Sequence, residues 1–295
     1  MMIDSPVATL SQTLSSLQTL GLDRLDAQLL LLHVLGLAPH QRTWLLAHDT
    51  DRLSGTQAQT LMTLANRRLA GEPLAYLTRH KAFYGLDLQV DSHVLVPRPE
   101  SETLVDWALE CLAGQPVQCR DQRVLDLGTG SGAIALAIKA SRPELQVYAV
   151  DISHEALELA HTNAQRLQLE VSFSLGAWFA DLPTVTSSLF DVIVSNPPYI
   201  AADDPHLAAL GFEPALALIS GTEGLDDIDH IIGHAPTHLK PGGWLLLEHG
   251  HDQANAVRAR LLANGFCSVS SRRDLAGIER CSGGRLQLVV EFTNH

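Results

Sequence analysis

Val124-Leu125-Asp126-Leu127-Gly128-Thr129-Gly130-Ser131-Gly132-Ala133-Ile134-Ala135-Leu136 reads as a strand, a glycine-rich turn and the opening of a helix. The apolar run suits a strand buried on both faces, and the apolar residues after Gly132 suit a helix packed against it. Glycines let the backbone turn sharply and let a ligand approach where a Cβ would block it. Working outward, further apolar strand-like runs occur at Val147–Val150, Val171–Leu175, Phe190–Ser195, Trp244–Glu248, Cys267–Ser271 and Leu286–Glu291. Helix-length segments lie between them at Ala133–Ala140, Glu155–Leu167, Leu225–Leu239 and Gln253–Ala263. Alternating strands and helices predict an α/β fold, a mostly parallel, doubly wound, Rossmann-like sheet with helices on both faces.

The turn has the spacing Gly-x-Gly-x-Gly, with Asp126 two positions ahead, rather than the Gly-x-Gly-x-x-Gly of dinucleotide folds. This variant suits S-adenosylmethionine, which has an amino-acid tail and an adenosine but no phosphate. Asp151, at the end of the second strand, is placed to accept both ribose hydroxyls. The competing structural role for Asp151 is a turn and cap ahead of the helix that follows Ile152-Ser153.

Phe190-Asp191-Val192-Ile193-Val194-Ser195-Asn196-Pro197-Pro198-Tyr199-Ile200 is a second strand-to-loop junction, at the strand end where open α/β sheets bind ligands. Two prolines stiffen the loop and remove two N–H donors. The Asn196 side chain and the Pro197 carbonyl then offer two acceptors to a planar NH2 group, with Tyr199 packed over it. Such a grip would orient a weak nitrogen nucleophile by positioning and electrostatics, with no general base. A rigid turn with no chemistry is the structural alternative.

Composition narrows the function classes. In 295 residues, 20 Lys and Arg face 33 Asp and Glu, a net charge of −13 that argues against gripping a phosphate backbone or an anionic membrane. Arg67–Arg68 and Arg272–Arg273 are the basic doublets. Cys111, Cys119, Cys267 and Cys281 form no Cys-x-x-Cys pair, and no metal is expected. Met1 to Leu10 lacks a basic stretch followed by an apolar run, and Leu29 to Ala38 is too short to span a bilayer. A cytoplasmic protein is expected.

Ahead of the α/β region, residues 1–72 read as a small helical bundle. Leucines recur at helical spacing at Leu10, Leu14 and Leu17, at Leu25, Leu29 and Leu32, and at Leu61, Leu64 and Ala65. Ser54 is the predicted N-cap of the last helix, and Gly71 with Pro73 its stop. Residues 73–96, alternating around Gly85, predict a hairpin-like linker, with the cofactor domain spanning 97–295.

Taken in order, these motifs resemble the bacterial release-factor glutamine methyltransferases, which act on the Gly-Gly-Gln motif of class 1 peptide-chain release factors. The resemblance runs through Gly71-Glu72-Pro73-Leu74-Ala75-Tyr76, Pro97-Arg98-Pro99-Glu100, the Asp126–Gly132 turn and Asn196–Ile200. It continues through Asp204-Pro205-His206-Leu207, Phe212-Glu213-Pro214, Leu239–Gly243 and Leu247-Glu248-His249-Gly250. It implies a seven-stranded methyltransferase fold and methyl transfer from S-adenosylmethionine to the glutamine N5. It further implies cofactor contacts from Gly128, Thr129, Gly130, Ser131, Gly132, Asp151, Trp178 and Asn196. The glutamine would be held by Asn196, Pro197, Pro198 and Tyr199, with Asn196, Pro197 and Tyr199 catalytic. The helical domain would help recognise the release factor, and the protein would act as a monomer without direct nucleic-acid contact. Two departures stand out: Ala177 before Trp178, where relatives often carry an acid, and the short uncharged loop Ala208-Ala209-Leu210-Gly211. A ribosomal-protein glutamine methyltransferase, a DNA or RNA amino-methyltransferase, and a non-catalytic module of this fold are the alternative readings.

Overall fold

The computed structural model describes residues 8–113, 121–180, 182 and 189–287. It divides into two compact units, residues 1–80 and 81–295.

In the first unit each long helix is bounded by groups the sequence supplies. The helices are α1 (Leu10–Thr19), α2 (Arg24–Val34), α3 (Arg42–Ala47), α4 (Gly55–Leu69) and α5 (Leu74–Thr78). Thr9 and Ser54 cap α1 and α4 in reciprocal pairs with Gln12 and Gln57, which satisfies two orphan N–H donors at each start. Ser54 is thus the cap the sequence predicts. Gly71 stops α4: its N–H donates to Arg68 O and the Glu72 N–H to Arg67 O, with Gly71 at φ 102°. That pair of bonds requires a left-handed residue, which glycine adopts without a Cβ clash. The core is aliphatic, built around Leu10, Leu17, Leu30, Leu31 and Leu61. One expectation shifts: Leu25 is exposed, and α2 buries Ala27, Leu30, Leu31 and Leu32 instead. Leucines at consecutive positions leave the buried face unspecified until the other helices dock.

The second unit opens with a hairpin, β1 (His80–Phe83) and β2 (Leu86–Gln89), turning at Tyr84-Gly85 as the alternation predicts. Phe83 and Leu88 are buried in this unit's core. A 3-10 turn (Pro99–Ser101) leads into α6 (Glu102–Ala113). The α/β order follows: β3 (Arg123–Leu127), α7 (Ala133–Ser141), β4 (Gln146–Asp151), α8 (His154–Leu167), β5 (Ser172–Leu175) and β6 (Phe190–Ser195). It finishes with α9 (Asp226–His234), β7 (Leu239–Glu248), α10 (Ala254–Ala263), β8 (Phe266–Arg273) and β9 (Glu279–Leu286).

Among the described residues the sheet has seven strands in the order β5-β4-β3-β6-β7-β9-β8. Strands β5 to β7 are parallel, while β9 runs antiparallel between β7 and β8. Successive side chains point to opposite faces, so each central strand feeds two cores. Val124, Val192, Val194 and Leu246 pack under α6 and α7. Leu125, Ile193, Leu245 and Leu247 pack against α9 and α10.

Four segments differ from the sequence reading. Residues 73–96 read as a hairpin-like linker, but Leu74–Thr78 is helix α5 and the hairpin covers only His80–Gln89. The helix predicted over Leu225–Leu239 ends at His234, because Pro236 lies in a 3-10 turn that follows, and Leu239 opens β7. Helix α6 had no counterpart in the sequence reading. The final strand was expected at Leu286–Glu291; it is Glu279–Leu286, and residues 288–291 lie outside the described residues, as does Cys119.

Candidate active site

Strand β3 lies between β4, which follows it in the chain, and β6, which comes later on its other side. The connections leaving β3 and β6 therefore diverge, and a crevice opens at their carboxyl ends. Gly128 follows β3, Asp151 ends β4 and Asn196 follows β6, so the three predicted motifs converge on that crevice. A cavity of about 380 Å³ fills it, within the range of roughly 300–1,000 Å³ usual for small-molecule sites. Gly128, Gly130, Ser131, Asp151, Trp178, Asn196 and Pro198 line it. Thr129, Gly132, Pro197 and Tyr199 are not among its lining residues.

The glycine turn is stitched to β4 from below. Gly128 and Thr129 both donate their N–H to Val150 O, and Gly130 donates to Asp151 Oδ2 at 2.8 Å. Gly128 has φ 70°, and a Cβ there would sit 3.4 Å from the Trp178 ring, so glycine allows the indole to lie against the turn. Trp178 is itself left-handed, φ 55°. A non-glycine residue held there costs on the order of 1–3 kcal/mol and persists only where surrounding structure fixes it. Thr129 turns away from the cavity and donates to buried Asp126 at 2.7 Å. Asp126 also accepts from Ala135 N, which ties the turn to the first turn of α7.

Asp151 has the turn-forming role considered for it, and it also stands where a ligand could reach it. Its Oδ1 accepts from Ser153 N at 2.9 Å, and Ser153 caps α8, so it is a turn-forming residue. It also lines the cavity. Each carboxylate oxygen has two acceptor sites, so the backbone bonds leave capacity for ligand hydroxyls. Burial pushes its carboxyl above the usual value, against the pull of the Ser153 and Gly130 N–H groups.

The Asn-Pro-Pro-Tyr loop is held at several points. Ile200 N–H donates to Leu218 O and its carbonyl accepts from Ser220 N–H, forming a short parallel bridge with Ile219. Gln253 Nε2 donates to Tyr199 O and Gly224 O, both at 3.1 Å. Nearby, Arg98 Nη2 meets Glu213 Oε1 at 2.5 Å while Glu213 Oε2 accepts from Val96 N. This clamp joins the Pro-Arg-Pro-Glu and Phe-Glu-Pro segments at the cavity mouth.

Two polar residues that the sequence reading did not assign to the site are bonded to its loop: Ser101, which lines the cavity, and Glu248, which does not. Glu248, at the end of β7, is buried, and Ser101 Oγ donates to its Oε2 at 2.5 Å. Asn196 Nδ2 donates to that same Ser101 Oγ at 3.1 Å, and Tyr199 Oη donates to Glu248 Oε1 at 3.4 Å. Burial, then the neighbouring Glu248, pushes the Tyr199 phenol up, so it stays protonated. The Oδ1 atom of Asn196 is buried and has no hydrogen-bond partner. Ala177 lines the wall beside Trp178 without an acceptor side chain, and Ala208–Gly211 belongs to an exposed 3-10 segment. No metal-binding cluster occurs among the described residues, nor any helix long and apolar enough to cross a membrane.

Comparison with known proteins covers both units. The methyltransferase small domain matches residues 101–211, and the PrmC N-terminal domain matches residues 8–78. A release factor glutamine methyltransferase of Bordetella pertussis is 49% identical over 90% of this chain and 96% of its own length. That of Xylella fastidiosa strain Temecula1 is 45% identical over 95% and 98%. Among solved structures, a methyltransferase from Pyrococcus furiosus aligns with TM-score 0.52 at 22% identity, covering 76% of this chain and 98% of its own, a likeness of fold.

Proposed function

Because the chain belongs to the release factor glutamine methyltransferase family, we propose that it transfers a methyl group from S-adenosylmethionine to a glutamine side-chain nitrogen. The acceptor is the glutamine of the Gly-Gly-Gln motif in class 1 peptide-chain release factors. It meets them in the cytoplasm, as a monomer and without nucleic acid. The observation that carries the reading is that Asn196 lines the cavity and its Oδ1 is a buried acceptor with no partner of its own. Leaving such an atom unpaired costs about 1–3 kcal/mol, and a ligand NH2 group arriving there recovers it.

The cavity fits the cofactor by its donor set. The Gly128–Gly132 turn offers close backbone approach, Asp151 offers acceptors for the ribose hydroxyls, and Trp178 offers an apolar face. When bound, S-adenosylmethionine supplies an electrophilic methyl group on a sulfonium. Asn196 Oδ1 and the Pro197 carbonyl accept the two hydrogens of the glutamine NH2. An amide lone pair is delocalised into its carbonyl, so fixing both hydrogens aims it at the methyl and opposes that delocalisation. The stiff Pro197-Pro198 pair holds these acceptors in advance, which is where the rate enhancement arises. No residue need remove a proton first: the S–CH3 bond breaks as the N–CH3 bond forms, and the methylated nitrogen then releases its proton to water. The helical unit contributes recognition of the release factor.

Labelled-methyl transfer to purified release factor, large-subunit ribosomal protein, DNA and RNA in parallel tests this. Incorporation at the Gly-Gly-Gln glutamine is expected; incorporation confined to any of the other three overturns the reading.

A further inference from the structure

Asn196 can do its work only if its oxygen, and not its nitrogen, faces the substrate. The two ends of a carboxamide have nearly the same size and shape, so packing alone does not choose between them. What chooses is the partner behind it. Ser101 has one hydroxyl proton, and it is given to Glu248 Oε2 at 2.5 Å. A hydroxyl that has spent its proton can only accept, so it demands a donor from its other neighbour. That donor is Asn196 Nδ2, at 3.1 Å. Turning the amide over would set two oxygens against each other and would offer the substrate NH2 a second NH2.

We propose that Glu248 and Ser101 are positioning residues that fix the orientation of the Asn196 amide through a one-way chain of hydrogen bonds, and that protonating Glu248 reverses the chain. This deepens the methyl-transfer reading and rests on it. A protonated Glu248 becomes a donor to Ser101, which is then free to direct its own proton at Asn196 and draw Oδ1 toward itself.

The surroundings of Glu248 favour such a reversal near neutrality. The carboxyl is fully buried, and burial pushes it up to about 7. The Ser101 and Tyr199 hydroxyls and the Arg280 guanidinium pull it down, while Glu100 pushes it up. Cys281, its register partner on β9, is itself pushed well above the usual thiol range and stays neutral. Below neutrality the chain reverses and transfer slows; above it the productive orientation holds. The separation of 147 positions between Ser101 and Glu248 explains why no local motif announces the pair.

The test combines two readouts on the intact protein. In single-turnover methylation at saturating cofactor, Ser101→Ala should lower the rate about 30-fold or more, in line with losing part of a preorganised polar array. Cofactor affinity by calorimetry should stay within threefold, and Ser101→Thr, which keeps the hydroxyl, should restore most of the rate. Glu248→Gln can still accept from Ser101 while donating to Tyr199. It should therefore lose the acid limb of the pH–rate profile, with a smaller loss of rate than Ser101→Ala. Independently of any substrate, the Asn196 side-chain NH2 resonances should titrate near neutrality in the parent and stay fixed in Glu248→Gln. A Ser101→Ala rate within threefold of the parent, or an amide that ignores both Ser101→Ala and pH, overturns the relay. Failure of the parent to methylate release factor sinks the functional reading instead, and the amide titration still decides the relay.

Discussion

At Asn196 two chemically opposite ends share one side chain, and only the nitrogen end has a partner, the Ser101 hydroxyl at 3.1 Å. Asn196→Ala should lower single-turnover methyl transfer about 100- to 1000-fold, the loss typical of one preorganised polar partner at a reacting group. Asn196→Asp should be no better. It places an oxygen where Ser101 needs a donor and a negative charge beside the sulfonium, which stabilises the ground state more than the transition state. Either variant staying within threefold of the parent removes Asn196 from the mechanism. Asp126 offers a test of a different kind. Its carboxyl is pushed up to about 7 by burial, and its Oδ1 has no partner. The unfolded chain releases this proton near pH 4. Between those values the native state holds a proton the unfolded state has lost, so stability falls as pH rises, by up to about 4 kcal/mol in all. Asp126→Asn keeps an acceptor for Thr129 and Ala135 but cannot ionise. Its stability relative to the parent should therefore climb between about pH 4 and pH 7. Denaturant titrations across that window giving a constant difference would exclude the burial penalty.

Among the elements, the connection after β6 shows how tightly the site is bolted. Gly224 has φ 71°, and a Cβ there would lie 2.3 Å from the carbonyl oxygen of Tyr199. Gly224→Ala should shift the Asn-Pro-Pro-Tyr loop, destabilise the fold by about 1–3 kcal/mol and slow methyl transfer far more than it weakens cofactor binding. Rates and calorimetry that leave both unchanged would show that the loop does not depend on this contact. The same scale shows what sequence could tell. The strand and glycine turn at 124–136 and the strand at 190–195 were readable because continuous apolar runs bounded by turn residues have few alternatives. The strand Glu279–Leu286 was not. With three charged residues, Glu279, Arg280 and Arg285, and Gly283-Gly284 near its centre, it has poor intrinsic preference for a strand, and pairing with β7 and β8 imposes it. Gly283 is needed because a Cβ would meet Leu246 and the Leu245 carbonyl, a constraint that exists only after packing. Helix α6 carries a readable spacing in Leu104, Val105, Ala108 and Leu112, but the prolines ahead of it masked its start. Ser101 and Glu248 were invisible as a pair, since only the folded sheet brings them together.

Across the whole molecule the motifs for chemistry all fall in the second unit, which predicts that the first is dispensable for cofactor binding. Removing residues 1–78 leaves the hairpin and the α/β unit whole. The truncated protein should bind S-adenosylmethionine within about threefold of the parent but methylate intact release factor at least tenfold more slowly, since recognition energy from remote contacts raises the rate of transfer. Normal methylation of whole release factor by the truncated chain would deny the helical unit a recognition role. Loss of cofactor binding would show that the units do not divide as drawn.

The strand order has a consequence for how the chain acquires its structure. The bond from the Arg123 N–H to the Asp191 carboxylate, which helps fasten β3 beside β6, spans 68 residues, and β4, β5 and their helices must be accommodated within that loop. In the helical unit the ion pair from Arg68 to Asp26 spans 42 residues, and most of its other bonds lie within single helices and their caps. Closing longer loops costs more entropy before any contact repays it, so local topologies reach the native state sooner. The helical unit also leaves the ribosome first, and units of a chain generally fold as they emerge. Its closure needs shorter loops, whereas the crevice between β3 and β6 exists only once that 68-residue loop has shut. The site for chemistry thus rests on long-range pairings that the helical unit does not need.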